Sequence, residues 1–195
     1  GGDEAGWTEL AGVATEVVAQ AGNAKFREKM LVTHRGLSGP AILQASSYWR
    51  PGDELLLDLA PDSPSSGGVL RTLLQPGARR DEAALKQALR EALPQRLASH
   101  LAQAGSPAGW SNSAIESAER RLHRWPLHPV GTEGFEKAEV TAGGVDTDGL
   151  QARTLEARAV PGLFFIGEAV DVTGHLGGFN FQWAWASGVA AGRAV

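Results

Sequence analysis

The chain has 195 residues, of which 43% are hydrophobic and 21% charged, with a net charge of −4, a globular composition sized for one large domain or two small ones. It contains no cysteine, which excludes disulfides, thiolate nucleophiles and cysteine-based zinc sites, and its five histidines lack HxH or HxxxH spacing, so no metal site is expected. No apolar run approaches the ~20 residues of a membrane span, and the net charge gives no whole-chain signal for nucleic acid or membrane.

Residues 1–7 are acidic and polar and do not read as a signal peptide. An initiator Met is missing, so the chain reads as an excerpt of a longer protein, with a cytoplasmic location as the default. Over residues 8–32, Val13, Thr15 and Val17 and then Phe26, Lys29 and Leu31 predict two β-strands joined by the turn Gly22-Asn23. Ser38 is the expected N-cap of a short helix, with Pro40 in its first turn and Ile42, Leu43 and Ser46 at helical spacing. Pro51-Gly52-Asp53 reads as a turn, 54–59 as a strand and 61–68 as a Pro/Ser/Gly linker.

The chain then turns helical. Asp81 and Glu82 sit in a first turn, where the helix dipole favours acids. Leu85, Leu89 and Leu93 form an apolar stripe that Pro94 breaks, and Leu97 and Leu101 continue it to Gly105. A last helix over about 112–122 places Ile115, Ala118 and Leu122 on one face. Residues 79–124 carry a net charge of +3 against −7 for the remainder, either a solvated helical face or a polyanion-binding patch. Strands are expected at 127–131 and 135–142, a short strand or turn at 154–159, and a strand at 163–166 after Pro161-Gly162.

After that strand, Gly167, Gly174, Gly177 and Gly178 fall within a dozen residues, with Glu168, Asp171, His175 and Asn180 between or beside them. Strand, glycine loop and helix in this order bare main-chain N–H groups toward a ligand. Glycine permits close approach and positive φ, and a helix start adds unpaired donors and partial positive charge. The alternative is a tight turn with no ligand.

Three segments resemble the YhiN/BaiN-type FAD-dependent flavoproteins, also called aminoacetone-oxidase-type. They are Thr33-His34-Arg35-Gly36-Leu37-Ser38-Gly39-Pro40-Ala41, then Lys137-Ala138-Glu139-Val140-Thr141-Ala142-Gly143-Gly144-Val145, and the run from Pro161 through Gly167-Glu168 and Asp171 to Gly177-Gly178-Phe179-Asn180-Phe181-Gln182 and Gly188. The resemblance implies an α+β fold: a β-barrel-like insert with a small helical bundle, followed by the C-terminal strand-loop-helix piece of a two-dinucleotide-binding FAD domain. The corresponding boundaries are 1–70 for the β-rich insert, 71–124 for the helical subdomain, 125–138 for its return strand and 139–195 for the FAD-domain segment. The family's N-terminal GxGxxG unit, which seats the ADP half of FAD, has no counterpart here.

The resemblance further implies FAD as cofactor, with the flavin ring over Gly177, Gly178, Phe179 and Asn180. Gly167, Gly174 and His175 complete the candidate cofactor-binding set, and Glu168 or Asp171 is placed to accept hydrogen bonds from ribityl hydroxyls. His175 faces either the flavin edge or substrate, or is a surface-turn histidine. Asn180 is the expected N-cap of the last helix, His34 a packed structural histidine, and Trp183 and Trp185 core residues. Gly188 and Gly192 suit close helix packing. No catalytic acid or base is assigned. The family's chemistry leaves two reaction types open, reduction of an activated C=C bond and oxidation of a small amine. A binding-module reading stands beside them: Arg79, Arg80, Arg120, Arg121 and Arg124 of the basic bundle dock RNA or another partner, which is compatible with delivering an RNA base to the flavin.

Overall fold

The computed structural model describes residues 7–63 and 67–195. The chain divides into two compact units, Gly1–Val130 and Gly131–Val195.

In the first unit, alternation builds the sheet. Strand β1 (Ala14–Ala21) buries Val17, Ala19 and Ala21, and β2 (Ala24–Val32) buries Phe26, Met30 and Val32, the period-2 pattern of a half-buried strand. They pair from Ala21↔Ala24 to Ala14↔Leu31 around the expected Gly22-Asn23 turn. Short strand β3 (Leu37–Ser38) adds to β2, β4 (Leu55–Asp58) to β1 and β5 (Trp125–Leu127) to β4, giving a curled antiparallel sheet of order β3-β2-β1-β4-β5. Helix α1 (Pro40–Ser46) packs on β1 and β2 through Ala41, Ile42 and Ala45.

The N-cap of α1 is Gly39 rather than Ser38. Ser38 is drawn into β3 opposite Leu31, which brings Gly39 against the main chain of β2. A Cβ there would lie 2.7 Å from the Lys29 carbonyl and 2.8 Å from the Leu31 nitrogen, at φ +90. Only glycine fits.

The three expected helices follow as α2 (Glu82–Ala92), α3 (Gln95–Ala104) and α4 (Asn112–Leu122). Asp81 caps α2, its carboxylate accepting the Ala84 N–H at 2.9 Å. Pro94 ends the stripe by holding Leu93 extended (φ −128, ψ 153) and then starts α3. Ser111 caps α4. Leu85, Leu89, Leu97, Leu101, Ile115 and Leu122 belong to one core with the sheet residues.

The expected linker at 61–68 is tied down where it is described; its residues 64–66 lie outside the described residues. Ser63 is buried and donates to the Ala60 carbonyl at 2.9 Å. The Glu119 carboxylate of α4 accepts the N–H groups of Val69 and Leu70 at 2.9 and 2.8 Å. His123 bridges this carboxylate to the sheet, with Nδ1 2.8 Å from Asp58 Oδ1 and Nε2 3.1 Å from Glu119 Oε1. Ser63 Oγ also lies 3.2 Å from His123 Nε2. These half-buried groups are less screened than surface pairs and join β4, the 60–70 connection and α4.

Three expected strands are corrected. β5 ends at Leu127, so no strand runs over 127–131. Residues 135–142 contain no strand; they are exposed, with a turn closed by Lys137 and Ala138 N–H groups on the Gly134 carbonyl. At 163–166 the chain is extended but makes a single isolated bridge, Glu156↔Phe164. An apolar run becomes a ladder only where a neighbour supplies a full row of partners, and here the main-chain bonds are the pair with Leu155 and Ala157 and a turn bond from Leu163 to the Val160 carbonyl. Helix α5 (Phe179–Gly192) closes the second unit.

Two outcomes test this account. Gly39→Ala should cost about 3 kcal/mol or more in urea unfolding, because strained φ and backbone overlap add, whereas Gly52→Ala, with φ +96 but open space around it, should cost about 1 kcal/mol. Hydrogen bonds from the Ala84 N–H and then Arg79 hold the Asp81 carboxyl below its ordinary value of 3.8. Its contribution is therefore complete above pH 3.8 and is lost as pH falls through the lower folded-state value. Circular dichroism of Asp81→Asn should show a shallower loss of helix on that acid limb and little change at neutral pH.

Candidate functional site

The second unit brings most of the glycine-rich motif residues together through main-chain contacts. Gly144, at φ +142, lets 143–145 lie directly on 169–171: a Cβ there would sit 2.9 Å from the Ala169 carbonyl and the Asp171 nitrogen. Val145 donates to Ala169 at 2.8 Å and Asp171 donates to Val145 at 2.9 Å. The Asp171 carboxylate accepts the Gly143 N–H at 3.0 Å. Asp171 thus pins its own neighbourhood through one acceptor site of its carboxylate, and the others stay open to a ligand. Glu168 is exposed, and no hydrogen bond or ion pair engages it among the described residues.

Gly167 opens a single 3₁₀ turn at φ +60 and is clamped to α5 from both sides. Its N–H donates to Ser187 Oγ at 2.9 Å, and its carbonyl accepts from Trp183 Nε1 at 3.0 Å. Ser187 is 2% exposed. Gly188 faces Ile166, where a Cβ would make ordinary contact at 3.8 Å, while Gly192 meets nothing, so only the first of the two glycines packs closely.

The last loop is set by Asn180, and here the expected capping role is corrected. The N-cap of α5 is Gly178, at φ +87. Asn180 stands in the first turn and reaches back: its Oδ1 accepts the Gly174 N–H at 2.7 Å and its Nδ2 donates to the Gly174 carbonyl at 3.0 Å. Gly174 has no space for a Cβ, which would fall 2.9 Å from Phe179 Cβ. With the loop held in this way, Gly177, Gly178 and Phe179 are exposed. Residues 176–178 form a turn leading into α5, and no hydrogen bond from the N–H groups of Gly177, Gly178, Phe179 or Asn180 is recorded among the described residues. Four consecutive donors at a helix start form an anion-favouring row. His175 is exposed in the same loop.

Two expectations about neighbours fail. Trp183 is half-buried and bonded, but Trp185 is 74% exposed, in line with Phe181 (77%) and Val189 (50%) at intervals of four. A helix apolar on every side normally lies inside a protein. His34 is exposed rather than packed. Its loop is set instead by Thr33, whose hydroxyl accepts the N–H groups of Arg35 and Gly36, both at 3.2 Å.

In the first unit the structure also sorts the bundle arginines. Arg79 pairs with Asp81. Arg80 donates to the Leu73 and Trp110 carbonyls at 2.9 and 3.3 Å. Arg121 lies over the Trp125 ring, 4.7 Å from its centroid. Arg120 and Arg124 are exposed with no recorded partner among the described residues. No helix among the described residues is long and apolar enough to cross a membrane.

The comparison with known families matches the HI0933-like protein barrel and H2TH domain to residues 3–140. The chain belongs to the HI0933-like family. It is 48% identical over 192 residues to the ribosomal RNA dihydrouridine synthase of Escherichia coli, covering 94% of this chain and 46% of that protein. It is 39% identical over 194 residues to the enzyme of the same name from Haemophilus influenzae, covering 96% and 47%. The 3-dehydro-bile acid delta(4,6)-reductase of Clostridium scindens is 31% identical over 206 residues, covering 97% and 50%. The chain therefore spans about half the length of the curated relatives it matches, which agrees with the YhiN/BaiN-type resemblance and with an α+β fold of sheet and helical bundle.

The Asn180 clamp makes a specific claim. Asn180→Ala should cost about 1–2 kcal/mol, for two lost hydrogen bonds of roughly 0.5–1.5 kcal/mol each. Amide exchange at Gly174 should accelerate by about tenfold or more, and Asn180→Asp, which keeps the acceptor, should restore protection at that amide.

Proposed function

We propose that this chain is the C-terminal part of an FAD-dependent reductase that saturates a carbon–carbon double bond conjugated to a carbonyl, with the uracil base of RNA as substrate. The observation that carries the flavin reading is the row of N–H donors at 177–180, exposed over 177–179, at the start of α5. The relatives' names support the reaction class. A dihydrouridine synthase and a delta(4,6)-reductase both name gain of hydrogen across a C=C bond. They favour reduction over the amine oxidation that the family resemblance leaves open.

When bound, a flavin supplies two-electron reduction of a polarised double bond. The chain's own residues do the rest. The N–H row at 177–180 favours negative charge laid against it, by hydrogen bonding and by the partial positive charge of the α5 start. Asn180 keeps that row in place through Gly174, and Trp183 and Ser187 fix the Gly167 turn from the other side. Glu168, exposed and without a recorded partner among the described residues, remains available for polar groups of the cofactor, and His175 stands in the loop beside it. Of the five bundle arginines named above, Arg120 and Arg124 are exposed with no recorded partner among the described residues and suit RNA phosphates. The exposed line of Phe181, Trp185 and Val189 fits burial against the N-terminal half of the parent protein, since an uncovered stripe of this kind marks a contact surface.

The full-length parent should purify yellow, with a flavin absorbance band, and should convert uridine in RNA to dihydrouridine when supplied with reductant. A colourless protein that ignores added FAD would sink the flavin reading. A yellow protein that leaves RNA unmodified while reducing another conjugated ketone would sink the assignment of substrate alone.

A further inference from the structure

Of the five bundle arginines named above, three are engaged among the described residues, and the sheet assembles a separate cationic feature. The hairpin of β2 and β3 with its loop, residues 24–38, carries Lys25, Arg27, Lys29 and Arg35 against a single acid, Glu28. Lys25, Arg27 and Lys29 share one face of β2, because alternate residues point the same way. All three are exposed. Arg27 is neutralised by Glu16 and Asp62, each at 2.6 Å. Lys25 and Lys29 have no recorded partner among the described residues. The register sets Glu16 opposite Lys29 and Gln20 opposite Lys25, and Glu16 is already turned to Arg27. The two lysines stand about 14 Å apart, four strand residues, a span that covers successive phosphates of an extended nucleic-acid strand. Arg35 adds an exposed cation in the loop, whose main chain Thr33 holds.

The edge of β2 beside these lysines is also open. β3 pairs only with Leu31 and Val32, and Gly39 covers the main chain from Lys29 to Leu31. From Ala24 to Glu28 this side of the strand has no strand partner among the described residues. Main-chain N–H groups and lysines on one edge are the donors that hold a phosphate backbone in register without reading bases. Lysines on an open edge also discourage pairing with another strand, and that rival explanation makes a different prediction.

We propose that the open edge of β2, through Lys25 and Lys29 with Arg35 at its loop, is a track for the phosphate backbone of single-stranded RNA. The proposal rests on the reading that the substrate is RNA. It places a phosphate contact on the sheet in addition to Arg120 and Arg124 of the bundle.

The test uses the full-length parent and a fluorescein-labelled single-stranded oligouridine RNA, titrated at several salt concentrations. Each phosphate contact contributes about 0.7 to the slope of log K against log salt for single strands. The slope for K25A/K29A should therefore be shallower by about 1.4. Lys86→Ala with Arg90→Ala on α2 should leave it unchanged, and the flavin absorbance should be the same in every variant. An unchanged slope for K25A/K29A overturns the proposal. So does an equal flattening by the α2 pair, which would mean diffuse charge. Self-association of K25A/K29A in light scattering, with RNA binding intact, assigns the lysines to edge protection and also overturns it. Wild-type protein that binds no RNA at low salt would remove the RNA reading itself. A flattened slope in a protein that holds no flavin would support this track while removing the flavin reading.

Discussion

At Gly39, Gly144 and Gly174 the chain runs so close to another stretch that a single methyl group would fall within 3 Å of existing atoms. At the first two, backbone meets backbone with no side chain between them. Both units depend on this arrangement. In the first, it seats the start of α1 on β2; in the second, it lays 143–145 on 169–171 and folds 174–180 back on itself. Main-chain groups brought together in this way satisfy one another, which avoids the cost of burying unpaired donors and acceptors. The same close approach fixes the positions of side chains that follow, so the geometry of the glycine-rich loop is inherited from backbone contacts.

Polar side chains then lock what the glycines allow. Glu119, His123 and Asp58 connect a helix, a connection and a strand in the first unit. Asn180, Ser187 and Trp183 perform the equivalent task in the second. Glu119, Asn180, Ser187 and Trp183 bond main-chain groups outside their own elements, and His123 links two carboxylates from different elements. Loops held in this way are rigid without being part of a helix or sheet, and rigid loops are where binding groups can be presented with precision.

The second unit carries a helix with exposed apolar residues at Phe181, Trp185 and Val189 and, at its start, a row of main-chain donors with no hydrogen bond recorded among the described residues. Under the proposed function, the apolar line meets the rest of the parent protein and the donors meet an electron-rich ligand. The proposed reaction class would use such donors, since reduction of a conjugated double bond develops negative charge that they can stabilise.

The elements themselves were legible from local signals. The Gly22-Asn23 hairpin, the α2 stripe with its acidic start, the Leu93-Pro94 break and the 112–122 helix all emerge from spacing, capping and turn chemistry, because those causes act over a few residues. The family and its glycine-rich loop were legible too, since glycines clustered with polar residues announce close approach wherever the chain goes. What tertiary structure decided was partnership. Asn180 looked like a cap and became a clamp on Gly174. Asp171 spends one carboxylate oxygen on Gly143, and three of five arginines are engaged inside the bundle. The strands expected at 135–142 and 163–166 found no full ladder. Lysines at alternate positions on β2 became a row only once the strand set them on one face. Hydrogen bonds and ladders depend on which distant segments meet, and residue order along one chain does not encode that in any window short enough to read.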